Sequence, residues 1–218
     1  VYERNHITLL VVDRYHPRLR RELQSAVDAG HIQKCDELAL LEPEQLRPLA
    51  LLSLALLVIG IIFFIALDLV SYFWQAHVSF KGVTWEGVVV WLGINIIGYF
   101  VILLIHEAIH GLTILFWGGR PHFGAKLPLA LFCGARQQMF RRNQYIVVAL
   151  APLVVISVAG IILTLLAPSL ATYALLAIAG NISGAAGDLV VVRHLYRLPR
   201  NVLVEDTETG YCAWEVTR

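Results

Sequence analysis

The chain has 218 residues, 58% of them hydrophobic and 15% charged, with a formal net charge of +1. Soluble globular domains carry about 25% charged residues, so composition argues against one, and the near-neutral balance gives no electrostatic footprint for nucleic acid. Cys35, Cys133 and Cys212 form no C-x-x-C pair, which argues against a disulfide or cysteine–zinc framework.

In chain order, Ile7–Val12 reads as a short strand and Pro17–Ala29 as an amphipathic helix with Leu19, Leu23 and Val27 on one side. The first apolar run starts too late and runs too long for a cleavable signal. No Asp, Glu, Lys or Arg occurs between Arg47 and Asp68, between Glu86 and Glu107, or from Asn143 to Gly187. A crossing needs about 20 mainly apolar residues, so the first two stretches each fit one span. The third is too long for one and is interrupted at Ala167-Pro168-Ser169. Proline inside a helix costs roughly 3 kcal/mol, which places a tight turn there.

Four spans are therefore expected, near Leu49–Trp74, Gly87–Trp117, Tyr145–Leu166 and Ala171–Val192. Gly119–Asn143 is too broken for a helix, and Phe123–Phe132 suits a hairpin-like or re-entrant piece. Val202–Val216 reads as a terminal hairpin turning at Asp206–Gly210. The expected fold class is an all-α membrane protein: four transmembrane helices with a metal site inside the bundle, a short N-terminal arm and a C-terminal hairpin. Its divisions are an arm at 1–48, a core at 49–192 and a tail at 193–218.

Orientation follows from lysine and arginine in the connecting segments. The arm holds Arg4, Arg14, Arg18, Arg20, Arg21, Lys34 and Arg47, whereas the first loop has Lys81. The second loop carries Arg120, Lys126, Arg136, Arg141 and Arg142; the third has none, and the tail opens with Arg193, Arg197 and Arg200. This alternation predicts both termini in the cytoplasm.

The second span contains His106-Glu107-Ala108-Ile109-His110, an H-E-x-x-H motif, followed by Gly111. Helical residues four apart share a face, with Cβ atoms about 5–6 Å apart, so two imidazoles can bind one zinc ion. Glu107 then serves as general base toward the zinc-activated water. Ionisable groups within a span are functional by default, which strengthens the metal assignment over a polar cluster that merely joins helices.

Catalytic zinc usually takes three protein ligands and one open position. At 1.5 Å of rise per residue, His106 and His110 fall a little cytoplasmic of the midpoint of the second span. Asp188 in the fourth span lies at similar depth, Asp68 near the opposite surface, and His194 at the cytoplasmic boundary. Asp188 is thus the expected third ligand. Asn181, Gly184 and Asp188 line one face, and Gly180 and Gly184 form a G-x-x-x-G that permits close helix approach. Asn181 can donate to a substrate carbonyl or oxyanion, or bond a neighbouring helix. Asn95 suits a helix-to-helix hydrogen bond, Asp68 an interfacial place and His122 the surface. Pro152 should bend the third span, either opening a path for water or substrate or serving packing alone.

H-E-A-I-H-G, the A-L-A-P of the next span, N-I-S-G-A-A-G-D with the basic patch after it, and the tail E-D-T-E-T-G resemble the putative zincin peptidase family. These are small four-span proteins of bacteria and archaea. The resemblance covers most of Val88–Gly210 and implies a zinc metalloprotease of the prokaryotic plasma membrane, similar in design to site-2 proteases. Those enzymes bring their third ligand in L-D-G or N-P-D-G, where this chain has Gly187-Asp188-Leu189.

The function expected is hydrolysis of peptide bonds in membrane-embedded or membrane-associated protein substrates. His106, His110 and Asp188 would hold Zn2+, and Glu107 and Asn181 would serve catalysis within the lipid bilayer. The alternatives are a membrane zinc carrier or sensor, which would need polar residues along a path, and a non-catalytic scaffold, which would not need Glu107.

Overall fold

A computed structural model describes residues 9–75, 84–126, 130–207 and 209–217. Ile7 and Thr8 of the expected first strand, Lys81 of the first loop, residues 127–129 of the second loop and Glu208 of the tail lie outside them.

Pro43–Trp74 (α2), Trp85–Trp117 (α3), Arg142–Leu166 (α4) and the stretch Pro168–Leu195 are helices long and apolar enough to cross a membrane. Large apolar side chains such as Leu54 and Ile59 on α2, Ile97 and Phe100 on α3, and Val155 and Ile162 on α4 face outward. Exposed apolar surface on that scale marks a membrane interface, and lipid solvates it without penalty. The first three helices end at Trp74, Trp117 and Leu166, the ends expected for the first three spans.

The fourth stretch is not one helix. It runs as α5 (Pro168–Ala171), a 3-10 turn at Thr172–Ala174, α6 (Leu175–Gly184) and α7 (Ala186–Leu195). Asn95 of α3 holds the first break. Its Nδ2 donates to the carbonyls of Trp91 at 3.0 Å and Thr172 at 3.3 Å, and its Oδ1 accepts from the Leu176 amide at 2.8 Å. A break inside a span exposes backbone groups that no water satisfies, and this side chain takes them up.

The chain divides into two compact units. One comprises Arg47–His106 and Pro152–Ala186. Within it α6 packs closely through small residues: a Cβ at Gly180 would overlap the Tyr99 ring, and one at Gly60 would lie 3.4 Å from the Ala179 Cα. Ser53 and Ser183 join α2 to α6 through their hydroxyls at 2.8 Å.

The other unit comprises Val1–Leu46, Glu107–Ala151 and Gly187–Arg218. It holds a five-stranded sheet in the order β1-β5-β6-β7-β2, formed by β1 (Leu10–Val11), β5 (Gln138–Arg141), β6 (Leu203–Asp206), β7 (Gly210–Val216) and β2 (Ile32–Ala39). β1 runs parallel to β5 and the remaining pairs are antiparallel. Val202, Val204, Tyr211 and Ala213 bury one face of the sheet with Ile146 of α4 and Val191 and Leu195 of α7. Leu23 and Val27 of α1 (Pro17–Asp28) pack on Val11, Met139, Leu203 and Trp214. A separate antiparallel pair joins β3 (His122–Lys126) to β4 (Ala130–Gly134).

The spans are helical as expected, but the all-α label needs correction, because arm, second loop and tail combine in one sheet. β2 reads Ile-Gln-Lys-Cys-Asp-Glu-Leu-Ala and β5 Gln-Met-Phe-Arg. Neither alternates apolar and polar residues well enough to announce a strand. Their pairing is set by partners distant in sequence, which a local pattern does not contain.

Candidate metal centre

His106 and His110 sit one turn apart on α3, both buried, with Glu107 half-buried between them. Each ring has its Nδ1 engaged. His110 Nδ1 lies 2.9 Å from the Val148 carbonyl of α4, and His106 Nδ1 lies 2.8 Å from Asn181 Oδ1 of α6. A carbonyl oxygen only accepts, so both Nδ1 atoms carry hydrogen, which leaves Nε2 of each ring as the nitrogen suited to a metal. Metal-binding histidines are held in this way by an acceptor behind the ring.

Asp188 supplies the third donor. It lies in the first turn of α7, where an acidic residue suits the helix dipole, and its Oδ2 is 3.5 Å from His110 Nε2. One ligand atom from each of His106, His110 and Asp188 falls within 4.8 Å of the others. The three residues expected from motif and depth are thus brought together.

The other candidates are placed elsewhere. Asp68 lines a cavity of about 170 Å³ with Trp91, Thr164 and Thr172. His122 begins β3, and the His194 Nδ1 bonds the Val190 carbonyl of its own helix at 2.9 Å. Asn181 is fully buried, and its Nδ2 has no hydrogen-bond partner among the described residues. A buried amide donor left open is uncommon, and here it belongs to the side chain that holds His106.

The β3–β4 hairpin lies against α3 one residue past the motif. A Cβ on Gly111 would come within 2.7 Å of Phe123 Cζ and 3.4 Å of Cys133 Sγ. The tail fixes the hairpin's far end: Asp206 Oδ2 accepts the Ala135 amide at 2.7 Å and sits 2.6 Å from where a Gly134 Cβ would stand. Burial, with Glu107 and Asp206 adding to it, pushes the Cys133 thiol up to about 12. Sequence reasoning missed Val148 and Asp206 as supporting groups. Pro152, four residues after Val148, is the signal that could have found the first.

Two imidazoles and one carboxylate are a donor set found in hydrolytic zinc sites, with a coordination position left for water. A sequence model of the family described as putative zincin peptidase matches residues 99–203, which include the motif and Asp188. Zincins imply zinc, and this donor set fits it. No curated protein and no solved structure matches the chain.

Proposed function

We propose that this chain is a zinc-dependent intramembrane metalloprotease acting on membrane-embedded or membrane-associated protein substrates, in a prokaryotic plasma membrane with both termini cytoplasmic. His106, His110 and Asp188 hold the metal. Zinc bound there would supply Lewis acidity toward water and the scissile carbonyl. Glu107 takes the proton of the attacking water and passes it to the leaving amine, as a general base and then a general acid. Asn181 directs its open Nδ2 to the developing oxyanion. A substrate helix must unwind before its carbonyl is reachable, since backbone in lipid is otherwise internally bonded. The hairpin within Gly119–Asn143 is suited to pair with the unwound stretch as an added strand.

The observation that carries this reading is the approach of the three ligand atoms to within 4.8 Å, beside a glutamate at the second position of the motif. A zinc carrier would pass its cargo between successive ligand groups. Among the described residues the His106–His110–Asp188 group stands without a companion, which favours chemistry at a fixed site.

The test pairs metal analysis with cleavage. Glu107→Gln should keep zinc and abolish turnover, measured by elemental analysis of purified protein and by membrane proteomics of cells making active or substituted forms. Asp188→Ala should lose the zinc. Normal cleavage by Glu107→Gln would overturn the mechanism.

A further inference from the structure

In an α-helix each carbonyl accepts the N–H four residues further on. On α4 the partner due to the Val148 carbonyl is therefore residue 152, which is proline and has no N–H. The pyrrolidine ring also clashes with the carbonyl four residues before it and pushes that group off the helix line. In a span no water replaces the missing donor. The Val148 oxygen instead receives the Nδ1–H of His110 at 2.9 Å, in a buried contact between α4 and α3.

We propose that Pro152 is a positioning residue for the metal centre: by withholding a backbone donor, it frees the Val148 carbonyl to lock His110 as the Nδ1–H tautomer, with Nε2 turned to the metal. The inference rests on the zinc reading above and adds a residue that touches neither metal nor substrate. The two histidines are then fixed by different devices. His106 depends on the Asn181 side chain, which can rotate. His110 depends on a main-chain oxygen, which cannot titrate and is fixed by the helix. An amide at position 152 would compete for that oxygen, straighten α4 and release the ring to the other tautomer.

The experiment uses full-length protein in lipid nanodiscs in three forms: unsubstituted, Pro152→Ala, and a form with lactic acid at position 152, introduced by nonsense suppression. Lactic acid is the ester analogue of alanine, so it lacks both the ring and the N–H. Zinc affinity is measured by competition with a chelator. The His110 tautomer is read from imidazole nitrogen shifts in metal-free protein held at a pH where the ring is neutral, assigned with His110→Gln. Pro152→Ala should weaken zinc binding by about 10–100-fold, the usual effect of losing an outer partner, and shift His110 toward the Nε2–H form. The lactic acid form should return both measurements toward the unsubstituted protein.

The proposal fails if Pro152→Ala leaves affinity and tautomer unchanged. It fails equally if the ester form is as impaired as alanine, because the ring's bend would then be what matters. Should Pro152→Ala not fold, the ester form alone decides by keeping or losing the Nδ1–H signal. Failure of the protease reading looks different: zinc binds and His110 is locked, yet Glu107→Gln cleaves normally.

Discussion

The two ends of Asn181 are placed differently, and substitution can separate the roles proposed for them. Its Oδ1 accepts from His106 Nδ1 while its Nδ2 stays open. Asn181→Ala removes both and should lower zinc affinity by about 10–100-fold. Asn181→Asp keeps an acceptor behind the ring and removes the donor, so zinc should stay bound while turnover falls by about 100–1,000-fold, as for a lost oxyanion donor. Titration with zinc and steady-state kinetics on the two variants read these effects apart; equal turnover in Asn181→Asp and unsubstituted protein would remove the oxyanion role. The thiols offer a second check. Burial raises Cys133 to about 12, and burial with the nearby Glu37 carboxylate raises Cys212 to about 11. The thiolate is the nucleophile, so both thiols should alkylate slowly at pH 8. Their rates should climb with pH until about 11 for Cys212 and about 12 for Cys133, followed by mass spectrometry of iodoacetamide-treated protein. A plateau near the ordinary thiol value would show that burial does not control them.

At the scale of elements, the close passages are where sequence and structure meet most sharply. Gly210 opens β7 opposite Ala39, and a Cβ there would run into the Leu38 carbonyl of β2, with the Leu38 carbonyl carbon only 2.8 Å away. Backbone cannot swing aside as a side chain can, so Gly210→Ala should destabilise the sheet by about 1–3 kcal/mol, the range for overpacking. Hydrogen exchange should show the loss in the β2 and β7 amides first, with the span helices protected as before. Helix ends such as Trp74 and Leu166 were legible because twenty apolar residues leave a pattern in composition alone. Asp188 was legible because depth along two helices is simple arithmetic. β2 and β5 were not: their strand character is conferred by β7, β1 and β6, which lie far away in the chain. The helix break before Asp188 was also hidden, since Gly184-Ala185-Ala186 reads as ordinary close packing. Pro152 was visible as a bend, but its consequence for the Val148 carbonyl needed the position of a histidine on another helix.

For the whole molecule, the sheet constrains the path of the chain across the membrane. β1 and β2 come from the arm, β5 from the segment between α3 and α4, and β6 and β7 from the tail. All five strands are hydrogen-bonded in one sheet, so these three segments must share one side of the bilayer. Two crossings separate the arm from β5 and two more separate β5 from the tail, which the four apolar helices supply. The proposal that this side is the cytoplasm rests on charge: the three segments hold most of the lysine and arginine, and loops rich in these residues favour the cytoplasm. Alkaline phosphatase fused after Arg218 should therefore be inactive and a green fluorescent protein there should fluoresce, whereas phosphatase inserted between α2 and α3 should be active. The inverse pattern would reverse the orientation and leave the sheet intact. Fusions placing the arm and tail on opposite sides would contradict the sheet itself, because strands cannot pair through the hydrocarbon that separates them.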